Sequence, residues 1–186
     1  MHNPAEDPML ANPACHPTDV ELQRLLHFNH QVLAQALVVV EAHGLPSVPA
    51  YGLTAGPHLR HLIEHFEALL MAPHTGRVDY DRRPRDRELE RRPELARRRL
   101  LALQQRLAAC RTAPDTPLRV AGQGGTGGEF DFELPSSFGR ELVFVASHAV
   151  HHFALLQPYC REYGIAVGAD FGKAPSTVAF ENSRKP

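Results

Sequence analysis

The sequence predicts an all-α fold: a four-helix bundle with one small β-hairpin before the last long helix. Three observations carry that expectation. Four stretches, near 18–43, 56–72, 93–110 and 137–158, repeat apolar residues at three- and four-residue spacing, the period of a helix that buries one face. Most prolines and glycines fall between those stretches or in their first turns, where they stop or start helices. Strand-like alternation is confined to 118–120 and 130–134, either side of the glycine-rich tip 122–128.

In chain order, residues 1–17 hold four prolines and two asparagines without periodicity and are expected to form a flexible tail. Thr18-Asp19-Val20-Glu21 fits a capping box, and Gly44 supplies the stop after His43. Residues 45–54 form a proline-rich connection. The second helix opens at Gly56-Pro57 and is expected to end at Ala72, because Pro73 cannot continue the backbone ladder. Residues 77–99 carry ten arginines against six acids, and such interspersed signs mark a solvated face. Pro93-Glu94 begins the third helix, with Leu95, Leu100, Leu103 and Leu107 inward. After the hairpin, Ser136 or Ser137 caps the fourth helix, which Pro158 bends or ends. From Gly164 onward, Phe171 to Thr177 included, the chain is expected to be ordered coil, with a polar end at 181–186. One domain over 18–180 accounts for the whole pattern.

Composition narrows the function. A formal net charge of −1 and a hydrophobic content of 43% suit a globular domain and give no electrostatic footprint for nucleic acid or membrane. Cys15, Cys110 and Cys160 are odd in number and lack CxxC spacing, which suggests neither a disulfide framework nor a cysteine zinc site, and a reducing cytoplasm is the default expectation. The glycines of 122–128 do not follow a strand and open a helix with Lys-Ser/Thr, so they are no phosphate loop. Val38-Val39-Val40 beside Leu37 gives the first helix more apolar surface than one buried face needs, and a homodimer is the expected cover.

The chemistry is concentrated in histidines, of which the chain has twelve. His148 and His152 are four residues apart, one turn above the other on a helix, between Val145 and Leu155. Upstream, His58, His61 and His65 head another apolar helix. Imidazole is the commonest protein ligand for zinc, nickel and iron. A pair from one helix and a third from a facing helix make a divalent-metal site with open positions. Periodicity about Leu59, Leu62, Ile63 and Phe66 favours His65, then His58, as the third ligand over His61. His151 lies one step off the stripe as a spare.

His148-Ala149-Val150-His151-His152 and the segment His58-Leu59-Arg60-His61-Leu62-Ile63-Glu64-His65-Phe66-Glu67 resemble the DinB/YfiT-like metal-binding bundles. The second segment is also similar to the HLxH…E stretch of the related domain in ergothioneine-synthesising iron enzymes. Gly56 to His61, Tyr80 to Asp86 and Phe171 to Thr177 resemble an uncharacterised bacterial subgroup. The resemblance spans nearly all of 20–180. It implies His61, His148 and His152 as ligands of zinc, nickel or iron, with His65, His58 and His151 in reserve. It further implies metal-dependent transfer of a thiol, or attack by water, on a small electrophile. Glu67, Tyr80 and Glu141 are the candidate catalytic groups, and Arg83 and Arg85 could hold a substrate carboxylate bidentately. The rival expectation is a metal-stabilised, non-catalytic, homodimeric module. A third leaves the histidines merely hydrogen-bonded, with no metal.

Overall fold

The structure, a computed structural model, describes residues 17–45 and 47–185. The tail expected before Pro17 and the Thr18 side chain of the capping box lie outside the described residues. In order come α1 (Pro17–Ala42), a 3-10 turn (Tyr51–Leu53), α2 (Ala55–Thr75), β1 (Arg77–Asp79), α3 (Arg87–Arg91), α4 (Pro93–Ala109), β2 (Pro117–Gly124), β3 (Phe130–Ser137), α5 (Phe138–Glu162) and α6 (Pro175–Ser183).

The all-α four-helix bundle is therefore corrected: among the described residues, six α-helices accompany a three-stranded mixed sheet. The four long helices form where the apolar spacing puts them, and α1 and α2 pack on α4 and α5. Leu33, Leu59, Phe66, Leu100, Leu142 and Phe153 are fully buried between them; each contributes about 1.5–3 kcal/mol. The expected hairpin grows to two eight-residue strands and gains β1, which pairs in parallel with β2 from Arg77↔Arg119 to Asp79↔Ala121. Three residues with two charges are too few to show a strand period, which is why β1 escapes pattern reading. The same brevity hides α3. In α6 no side chain is buried, so no apolar stripe announces it.

Two prolines fail to stop their helices. Pro73 and Pro158 lie inside α2 and α5, each near the C-terminal end, where the lost backbone bond is one of the last of the ladder. The actual stop of α2 is Gly76, left-handed at φ 70, whose N–H donates to the Ala72 carbonyl at 2.8 Å. Ser137 caps α5 by accepting from the Arg140 N–H. Leu155, expected on the buried stripe of α5, is exposed, and Leu156 is buried in its place.

The segment after α5 folds back upon it. Phe171 is buried and stacks on Phe153 at 4.8 Å. Gly172, at φ 75, lies so close that a Cβ there would meet the Ala154 nitrogen at 2.6 Å. Of the valine triplet on α1, Val39 and Val40 are buried and Val38 is exposed, with Leu37 half-buried beside it. No described helix is long and apolar enough to cross a membrane.

The sheet positions the site. The chain leaves α2 for β1 after one residue and passes from β3 straight into α5. The two histidine-bearing helices thus pack together with one end of each anchored in the same sheet.

Candidate metal centre

Counting from the sheet explains which histidines meet. His65 precedes the end of α2 at Thr75 by ten residues (75 − 65), and His148 follows the start of α5 at Phe138 by ten (148 − 138). At about 1.5 Å per residue both stand roughly 15 Å from the sheet. His61 and His152 are each four residues further, one helical turn. The rings face each other rung by rung: His65 and His148 at 4.6 Å between centroids, His61 and His152 at 4.8 Å. His58 reaches His152 at 5.2 Å.

His61, His65 and His148 each present a ligand atom within 4.8 Å of the others, so these three could hold a metal ion. Two nitrogens on one ion stand at most about 4.2 Å apart, twice a metal–nitrogen bond, so the rings must close slightly on an ion. This trio contains His65, the ligand that periodicity favours, in place of His152. His152 Nδ1 instead lies 2.9 Å from His58 Nδ1, and its buried Nε2 has no hydrogen-bond partner among the described residues. His151 is exposed, with its ring 5.7 Å from that of His152.

The partners of each ring set its tautomer. His65 Nδ1 faces the His61 carbonyl at 2.7 Å, so Nδ1 carries the proton and Nε2 keeps a lone pair for a cation. Arg83 Nη1 lies 2.8 Å from His61 Nδ1. A guanidinium only donates, so His61 holds its proton on Nε2 and donates to His148 Nε2 at 2.8 Å. For His61 to ligate through Nε2, that proton must move to Nδ1 and Arg83 must give way. Burial is the first cause that depresses these rings. It takes His61 to about 2, helped by His65 and Arg83, His65 to about 3, and His152 to about 4, helped by His148. His148 and His58 are lowered too, again mainly by burial. All are neutral at pH 7, as ligation requires.

Arg83 is delivered by the loop between β1 and α3. Glu64 of α2, fully buried, anchors this loop: its Oε1 accepts from the Asp86 N–H at 2.7 Å, and its Oε2 lies 3.4 Å from Arg83 Nη1. Arg83 Nε also donates to the Tyr80 carbonyl. Arg85, exposed and left-handed at φ 53, points to a loop under strain of roughly 1–2 kcal/mol. Glu64 is hard to recognise as a site residue from the sequence. Its one signal, a carboxylate on the apolar face between Ile63 and Phe66, names no partner.

The remaining candidates divide. Tyr80 stacks on His65 at 5.1 Å, 14° from parallel, and donates to Glu141 Oε2 at 2.9 Å. Fully buried Glu141 also accepts on Oε1 from Ser136 Oγ at 2.6 Å and Arg140 Nη1 at 2.7 Å. Burial, then Glu141, pushes the Tyr80 phenol far above its ordinary value. Glu67, by contrast, is held by Arg99 of α4 through both oxygens, and among the described residues it makes no hydrogen bond to a histidine. Beside the trio opens a cavity of about 590 Å³, lined from α2, α5 and the sheet by Phe132, Leu134 and Phe144 as well as Arg83 and Tyr80, with the Phe144 ring 5.1 Å from that of Tyr80.

No family model matches the chain, and no solved structure matches it. A stretch of 102 residues, 54% of the chain, is 33% identical to FK506-binding protein 5 of Rhizopus delemar. The chain spans about a quarter, 26%, of that protein's length.

Proposed function

We propose that this chain is a metal-dependent enzyme in which neutral His61, His65 and His148 hold zinc, nickel or iron beside a substrate cavity. The observation that carries the proposal is the meeting of three ligand atoms within 4.8 Å at the wall of a 590 Å³ cavity. Three neutral imidazoles leave a divalent ion its full charge and open positions, so when bound it acts as a Lewis acid that lowers the pKa of water or a thiol. Borderline imidazole ligands favour those metals over magnesium. Kinship with the DinB/YfiT-like metal proteins is part of the proposal, supported by the histidine motifs of α2 and α5.

The chain's own groups divide the work. Tyr80 keeps its proton and directs it to Glu141, so the phenol acts as a donor and not as a base. Its stacking on His65 couples that donor to the trio. Arg83 and Glu64 set the orientation and proton of His61. Phe132, Leu134 and Phe144 give the cavity an apolar lining, which suits a small electrophile with an apolar body. The FK506-binding name of the fungal protein enters no step, because the similarity covers a quarter of it.

Elemental analysis of untagged protein tests the proposal: about one zinc, nickel or iron per chain is expected, and its absence overturns it. In cobalt-substituted protein, a small thiol should shift the visible spectrum saturably. A spectrum indifferent to thiol, anions and pH from about 6 to 9 means a closed coordination sphere, and the non-catalytic module then replaces the enzyme.

A further inference from the structure

We propose that Arg140 is the anchor for a substrate carboxylate, so that the cavity takes small monocarboxylates with an apolar body. The inference rests on the cavity serving as the substrate site. Arg83, the arginine first expected in this role, is spent: it donates to the Tyr80 carbonyl and lies against His61 and Glu64, its side chain 8% exposed. Arg85 is exposed and does not line the cavity. Arg140 does line it, with a side chain 62% exposed. Its Nη1 donates to Glu141, and its guanidinium sits 5.3 Å over the Phe144 ring. These two contacts fix its plane at the cavity wall.

Among the described residues Nε and Nη2 of Arg140 have no acceptor. They form one edge of the guanidinium, with two parallel N–H groups spaced to grip both oxygens of a carboxylate. The charge of the wall limits the ligand. One free guanidinium edge matches one carboxylate, and Asp81 and Glu141 on the same lining oppose a second negative charge such as that of phosphate. Beyond the guanidinium lie Val120, Phe132, Leu134, Pro135 and Phe144, which accept an aliphatic or aromatic body.

Calorimetric titration of the full chain with phenylacetate and with phenylacetamide tests this, in metal-free and metal-loaded protein. In the metal-free arm phenylacetate should bind about tenfold more tightly than the neutral amide, and Arg140→Gln should erase the difference. Arg140→Lys, which keeps the charge and loses the fork, should lose most of it. Equal binding of acid and amide, no binding of phenylacetate at about 10 mM, or a preference that survives Arg140→Gln overturns the assignment. Because that arm contains no metal, an Arg140-dependent preference in a protein that takes up no metal would sink the metal proposal and leave this one standing.

Discussion

Two histidine sites in this molecule share burial and differ in everything else. His43, at the end of α1, has both ring nitrogens beside oxygen: Nδ1 lies 2.7 Å from the Val39 carbonyl and Nε2 lies 3.0 Å from Tyr159 Oη. Tyr51 closes against its ring edge-on at 5.1 Å. Burial lowers its pKa, as it does in the cluster. Between α2 and α5, nitrogen faces nitrogen instead: His61 to His148, His58 to His152. A pair of neutral imidazoles shares one proton between two nitrogens, and the donor ring keeps a lone pair on its other nitrogen. At His58 and His152 no hydrogen bond among the described residues claims it, while in His61 it accepts from Arg83 and comes free for a cation only when Arg83 gives way. Burial alone therefore does not mark a ligand. The identity of the facing atom does.

The largest effect should come from removing two ligands at once. His65→Ala with His148→Ala should reduce metal content from about one ion per chain to none by elemental analysis, with helical circular dichroism retained. His43→Ala should leave metal content unchanged, and a loss of metal there would erase the distinction between the sites. The single replacements His65→Ala and His152→Ala decide between the trio the structure gathers and the one the resemblance implies. The larger loss of metal affinity identifies the true third ligand.

Acid should discriminate next. The cluster histidines are depressed to about 2, 3 and 4 at His61, His65 and His152, while an unfolded chain titrates near 6.5. Between those limits the unfolded state binds more protons, so stability is full above pH about 6.5 and falls as pH drops toward 4 and below. Denaturant midpoints of metal-free protein at pH 7, 6, 5 and 4 should decline steadily. In the His65→Ala, His148→Ala protein the decline should be shallower. An equal slope in both would mean that other groups govern acid unfolding.

Smaller changes are expected from hydrogen bonds outside the cluster. His43→Ala removes the partner of a mostly buried Tyr159 hydroxyl and should cost about 1–3 kcal/mol by chemical denaturation. Tyr80→Phe takes one of three donors from buried Glu141 and should cost a similar amount, about 1–3 kcal/mol, with metal content unchanged. The least effect belongs to Glu67→Gln: its pair with Arg99 is partly exposed, so a loss below about 1 kcal/mol and no change in metal are expected. A large metal defect in that variant would return Glu67 to the site.

The long helices and the two histidine-bearing segments are legible in the chain without any fold. Helical period and imidazole chemistry are local properties, written in spacings of three and four residues. Local pattern also yielded the wrong stops, since Pro73 and Pro158 read as breakers while the ladder near a helix end tolerates the loss of one bond. Register and partnership come from long-range packing. β1 is three residues long and forms because β2 lies alongside it, and that sheet places His65 and His148 at equal depth. Arg83 and Arg140 look alike in sequence. One is consumed by Glu64, His61 and a carbonyl, while the other keeps a free donor edge, because which acceptors surround a long side chain depends on segments distant along the chain. Glu67 and Glu141 part in the same way, one drawn outward to Arg99, the other sealed beneath Tyr80. Pairwise contacts across tens of residues carry no periodic signature, so the histidines could be named from the sequence but their partners could not.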